Sequence, residues 1–336
     1  MKKTSKMISF LLSVTLLLVL LCSSVTVAQA ASTQFLGATV TLGGKLTVNF
    51  YAQVANPTNA RMNFNLGGDP SEIHQTVFVS EATAIGGGVY SFPCTVGTVQ
   101  MTQSITATLL DGSTTATQTF SVRDYAAISL EQKDWVNLSA TDTVVATVNY
   151  GAALQATYAT KFGAPTDPAN TILPDDFKSR VEAVTADMLS ADRAVVTDSA
   201  SVSFYGYQML LGSETTLYTF FRVPSDAAYA GYPVSVTCDG KAVAGVTSFL
   251  TTTNGQRMMQ VCIPNIGASS LSARFVVQVG DAQADVSARS FMYSAIRAGS
   301  KDAAVCKAMY LYSVESDKYV VDTLGNQKDN VVTDSF

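Results

Sequence analysis

The sequence is poor in the side chains that do most enzymatic chemistry. It holds one histidine, His74, which excludes an HExxH zinc site and any site that needs two imidazole ligands. No GxSxG elbow accompanies that histidine, so a serine triad is not expected. In SEIHQTVF, ahead of an apolar run, His74 reads as a strand-end or loop residue. There is no glycine-rich phosphate loop, and Gly86-Gly87-Gly88 reads as a hairpin turn. Acidic residues are scattered, and no two can be nominated as the pair of carboxylates a glycosidase needs. Asp175-Asp176 with nearby Asp167 offers oxygens to calcium, but EF-hand spacing is missing and a solvated loop is the reading taken. No metal or other cofactor is expected, and an enzyme ranks last among the functions considered.

Charge is scarce too. Asp, Glu, Lys and Arg make up 14% of the chain, which carries a formal charge of −5. A leader of 30 residues contains Lys2, Lys3 and Lys6, an apolar run and then Ala28-Gln29-Ala30. This is the plan of a secretory signal (1–30), and the run from Met7 to Cys22 falls short of the ~20 apolar residues of a membrane helix. Without the leader the balance is 18 basic against 26 acidic residues, a charge of −8. An acidic chain with no basic patch points away from nucleic acid. No later run could span a membrane as a helix, so no membrane span is expected after signal cleavage. Four cysteines lie outside the leader, Cys94, Cys238, Cys262 and Cys306, with no CxxC spacing. Buried thiols are the favoured reading; if a disulfide forms, Cys238–Cys262 is the first pair to suspect.

What the chain does contain, it contains twice. FLGATVTLGGKLTVNFYAQV is echoed by FYGYQMLLGSETTLYTFFRV, with Phe50-Tyr51 set against Phe220-Phe221. YSFPCTVGTVQ is followed by MQVCIPNIGAS, TFSVRDYAAI by DVSARSFMYSAI, and VNYGAALQATY by LYSVESDKY. A shared order of features this long indicates a duplicated domain rather than a short solenoid repeat. Period-2 runs such as KLTVNFYAQV predict strands, and the DG pairs at Asp111 and Asp239 predict hairpins. The fold class expected is mainly β with some α: two tandem Ig-like β-sandwich domains, each followed by a short helical pair. The boundaries are 33–160 and 200–320, with a linker at 161–199 holding a brief helix at 176–189, and a flexible tail at 321–336. The closing helices carry apolar stripes, Val144, Val148 and Gly151 in one and Val305, Ala308, Met309 and Tyr312 in the other. Each is expected to cover its own sandwich.

Binding candidates are aromatic. Trp135, the single tryptophan, either plugs the joint between helix and sandwich or stacks on a sugar, the plug being favoured. Among Phe220, Phe221, Tyr229 and Tyr232, alternation must put some in the core. Tyr229 and Tyr232 sit in a small-residue loop where rings can meet a ligand.

Several of these segments carry a resemblance. Leu36-Gly37-Ala38, Val48-Asn49-Phe50-Tyr51, Ser121 to Ala126 and Asn149 to Ala152 are one set; Ile263 to Ile266, Leu271 and Lys307 to Tyr312 are the other. In them the chain resembles uncharacterised secreted or cell-surface tandem modules of gut-dwelling Gram-positive anaerobes, over roughly residues 33–320. The resemblance implies a module on or outside the cell and is silent about activity. The expected function is therefore non-catalytic binding or adhesion, with an extracellular glycan or protein as partner. An accessory carbohydrate-binding protein or a structural envelope component is the alternative.

Overall fold

The computed structural model describes residues 32–42, 46–67, 72–132, 138–162, 168–173, 175, 179–211, 215–225, 232–253 and 255–324. The leader, Trp135, Asp167, Asp176, Tyr229 and the last twelve residues lie outside them. The chain divides into two compact units, the first within 1–125 and the second from Ala126 onward, with 42–46 and 97–99 assigned to the second.

The first unit holds β1 (Gln34–Val40), β2 (Thr47–Gln53), β3 (Arg61–Leu66), β4 (Ile73–Phe78), β5 (Thr83–Gly86), β6 (Val89–Thr95), β7 (Ile105–Asp111) and β8 (Thr114–Phe120). They form two antiparallel sheets, β1-β2-β6-β5 and β4-β3-β7-β8. Strand burial alternates as the pleat requires, and Phe50 of one sheet meets Phe64 of the other at 5.5 Å between ring centres. The sheets therefore share one core.

The second unit holds β9 (Val195–Thr197), β10 (Ser203–Leu211), β11 (Thr215–Arg222), β12 (Val234–Cys238), β13 (Lys241–Ala242), β14 (Thr247–Thr253), β15 (Gln256–Ile266), β16 (Phe275–Val279) and β17 (Ala282–Val286). Its sheets run β10-β11-β15-β14 and β13-β12-β16-β17-β9. Apart from the added β9, this is the strand order of the first unit. First, second, sixth and fifth strands form one sheet, and fourth, third, seventh and eighth the other, the immunoglobulin-type order.

A shared irregularity aligns the units residue by residue. Pairing slips between Phe35 and Gly37 in β1 and between Phe204 and Gly206 in β10. Both glycines have positive φ, 143° and 156°, a conformation that side chains rarely allow. Gly37 faces Tyr51 and Gly206 faces Phe220. The match is thus Tyr51 with Phe220 and Phe50 with Thr219, one residue away from the pairing read from sequence. Hairpins fall where the DG pairs put them: Asp239-Gly240 closes β12–β13 with φ of 50° and 75°, and Gly112 turns β7 into β8.

Among the described residues the strands are followed by α1 (Val122–Glu131), α2 (Leu138–Phe162), α3 (Ala288–Arg297) and α4 (Ala303–Leu324). Both short helices start with a serine cap. The Ser121 hydroxyl donates to Asp124 Oδ2 at 2.7 Å and accepts from the Asp124 backbone N–H. In α3 Ser287 Oγ accepts from the Ser290 backbone N–H and Ser290 Oγ accepts from the Ser287 backbone N–H, a capping box. Asp124 thus holds the Ser121 cap. The long helices differ from expectation. α2 is buried around its whole girth from Thr143 to Gly151, not along one stripe, and part of that cover is α4. Tyr150 stacks on Tyr312 at 5.3 Å, and Thr143 Oγ1 donates to the Glu315 carbonyl. Where it is described, the connecting segment forms 3-10 turns at Ala169–Ile172, Ser179–Val181 and Ala186–Asp192; the start of the brief helix expected at 176–189, residues 176–178, lies outside the described residues. From the second of these turns Arg180 reaches both Asp142 of α2, at 3.1 Å, and Glu315 of α4, at 2.8 Å.

The four cysteines are thiols. Cys238 is buried in the second unit's core, whereas Cys262 points out of β15, so the fallback pair does not form.

Candidate binding face

β11 sorts its residues by parity. Thr215, Leu217, Thr219 and Phe221 are buried, Thr216, Tyr218 and Phe220 are half-buried on the other side, and Arg222 is exposed. The pairing register carries this sidedness across the sheet. Phe220 lies opposite Gln260 of β15, which lies opposite Phe249 of β14. The neighbouring row is Gln208 of β10, Tyr218, Cys262 and Thr247. Burial raises the Tyr218 hydroxyl pKa, and the adjacent Cys262 thiol adds to the shift. Phe249 is 46% exposed and Leu210, at the β10 edge, 54%.

The β10 bulge projects Tyr205, 47% exposed, and the Arg222 guanidinium lies over its ring at 4.6 Å. An exposed cation–π contact is worth about 0.5–1 kcal/mol, enough to favour one placement of a long side chain. Arg222 is the only charged side chain that the register puts on this face, and among the described residues no carboxylate pairs with it. The amides of Gln208 and Gln260 likewise have no partner among the described residues.

The corresponding face of the first unit is chemically different. Tyr51 stands where Phe220 does, Asn49 for Tyr218, Gln53 for Arg222 and Thr83 for Phe249. Its polar groups are also satisfied locally. Tyr51 and Thr39 share a hydrogen bond of 3.3 Å, Asn49 donates to Thr41 Oγ1, and Gln53 donates to the Gly87 carbonyl. One strand order thus carries a self-satisfied polar face in one unit and an aromatic face with unused donors in the other.

Of the residues singled out from sequence, Phe221 is core and Phe220 faces outward. Tyr232 is half-buried against the second core, and its ring sits so close to Gly280 that a Cβ there would lie 3.3 Å from it. Trp135 and Tyr229 lie outside the described residues. His74 is exposed on β4, with Nε2 at 3.1 Å from the Thr95 carbonyl. Sequence reasoning missed Tyr205, Tyr218, Arg222 and Phe249 as a group. The available signal was LYTFFR, which carries aromatics on both parities. Among the described residues no group of three His, Cys, Asp or Glu side chains is placed to hold a metal, and no helix is long and apolar enough to cross a membrane.

No family model matches the chain, and no curated protein does. Among the solved structures that match it are two at 10% identity. A marsupial T cell receptor covers 77% of this chain and 97% of its own, with a TM-score of 0.19. A chimeric titin Z1Z2-Z1Z2 tandem covers 76% and 96%, with a TM-score of 0.18. Superposition this slight carries no argument about fold or function.

Proposed function

We propose that the protein is a secreted or cell-surface, non-catalytic binding or adhesion protein made of a duplicated module, two tandem Ig-like sandwiches with accessory helices. The repeated strand order and the repeated bulge glycine support the duplication. The leader and the resemblance to surface modules support the location. The observation that carries the binding role is the second unit's outer sheet face, where Tyr205, Phe220 and Phe249 stand in place of Leu36, Tyr51 and Thr83 and bring exposed aromatic surface beside Arg222. Contiguous apolar surface of this kind marks interaction sites.

The alternative, an accessory carbohydrate-binding protein, draws on the Phe220–Gln260–Phe249 row. There rings can stack on the CH faces of sugars while the amide meets a hydroxyl. The test is binding of residues 31–336 to an array of plant, mucin and cell-wall glycans and of surface proteins. The F220S/F249S variant, checked for an unchanged far-UV spectrum, is the control. Ligands captured by the wild type and lost by the variant are expected. Equal capture by both would remove the face from the function. No capture, with concentration-dependent self-assembly, would favour a structural envelope role.

A further inference from the structure

Building on that reading, we infer that the aromatic face binds an internal stretch of a linear polysaccharide bearing uronic acid carboxylates. Arg222 and its supporting Tyr205 read the carboxylate. The face runs across four strands, so it spans about 14 Å at ~4.8 Å per strand step. It reaches both sheet edges, with Leu210 exposed on β10 and Phe249 on β14. A strip of this length, half-exposed at Phe220 and covered at Met258 beside Arg222, suits a chain that passes across it, whereas a terminal sugar calls for a pocket closed on one side.

The side chains match such a chain in kind and in order. Phe220 and Phe249 lie two strands apart with Gln260 between them, an alternation of apolar platform and neutral amide. Pyranose rings offer apolar CH faces and equatorial hydroxyls in the same alternation. Gln208 and Gln260 have donors and acceptors to give, because no described residue uses them. The charge is complementary and single among the described residues: one guanidinium, with no described carboxylate on the face to neutralise it. Planar guanidinium binds carboxylate with two parallel hydrogen bonds, and stacking on Tyr205 at 4.6 Å orients it beforehand. A second copy of the same face would oppose arginine to arginine and supply no carboxylate, which disfavours self-pairing. The chain's overall negative charge does not forbid the contact, since at physiological salt charges beyond ~8 Å are screened.

Affinity electrophoresis of residues 31–336 in gels containing polygalacturonate, or the same polymer fully methyl-esterified, tests this. Retardation by polygalacturonate is expected. It should weaken at least tenfold in R222Q, disappear in F220S/F249S, and be weak for the ester with the wild type. Arg222 is exposed and outward, so R222Q will fold, and its unchanged thermal midpoint verifies that. Equal retardation by acid and ester, or no effect of R222Q, overturns the inference. Absence of retardation by either polymer, with a protein ligand captured through the same face on the array, overturns it and leaves the binding reading standing. Absence of both sinks the two together.

Discussion

Asp111 shows how much a single carboxylate can organise. Buried at the end of β7, it accepts hydrogen bonds from the Thr33 hydroxyl at 2.6 Å and from the Ala55 and Asn56 backbone N–H groups. Burial pushes its pKa up, but these donors together outweigh burial and hold it below the ordinary value. A depressed native pKa contributes stability above the unfolded value of ~3.9, and that stability is lost as pH falls through the native value. D111A is expected to lower the first unit's stability by about 1–3 kcal/mol at pH 7 and to flatten its acid limb below about pH 4, read by urea denaturation across pH. The thiols give a second residue-scale prediction. Burial raises Cys94 and Cys306 to about 12 each, so little thiolate exists near pH 8. Of the four, only Cys262 should take iodoacetamide readily in the native protein, the others reacting after denaturation, as mass spectrometry of tryptic peptides will show.

Between elements the decisive contact is α2 against α4. Tyr150 and Tyr312 are both buried there and stack on each other. Burial raises both phenols, Tyr312 to about 12 and Tyr150 further, Tyr150 also through the neighbouring Tyr312. A raised phenol pKa leaves stability intact below the unfolded value of ~10 and erodes it as pH climbs through the native values. The second unit is therefore expected to lose stability from about pH 10 upward, and Y312F to lessen that loss, by alkaline denaturation followed with circular dichroism. Y312A, which empties a packed site, should cost about 3–5 kcal/mol. Arg180, bridging Asp142 and Glu315 but partly exposed, should cost about 1 kcal/mol or less on change to alanine. The two caps belong to the same scale: S121A and S287A should each remove about 1 kcal/mol.

For the whole molecule, the helix that ends the first sequence repeat is a structural part of the second unit. The boundaries of the sequence repeat and of the compact units therefore differ. A fragment of residues 195–324 would leave Val305, Met309 and Tyr312 without α2, whereas 138–324 keeps them covered. The longer fragment is expected to melt cooperatively and the shorter to be aggregated or molten, as thermal melts and size-exclusion chromatography will show. The two copies of the sheet face also differ: Tyr51 and Asn49 are locally bonded in the first unit, while Phe220 and Tyr218 face outward in the second. On the proposed reading, a duplicated module needs only one of its two equivalent faces for binding.

Much of this was legible without coordinates, because it rests on local chemistry. Alternation in KLTVNFYAQV and the DG turns each act within a few residues, where backbone geometry dictates the outcome. The repeated order of strands was readable for the same reason. The tertiary structure decided what depends on distant partners. The unpaired residues Leu36 and Tyr205 shift the pairing by one within β1 and β10, which sequence alternation does not show. Alternation in LYTFFR required that Phe220 and Phe221 face opposite ways, but only packing against the facing sheet decided that Phe221 is the one in the core. Only packing could show that α2 lies against α4, since an apolar helix records that it must be buried but not against what.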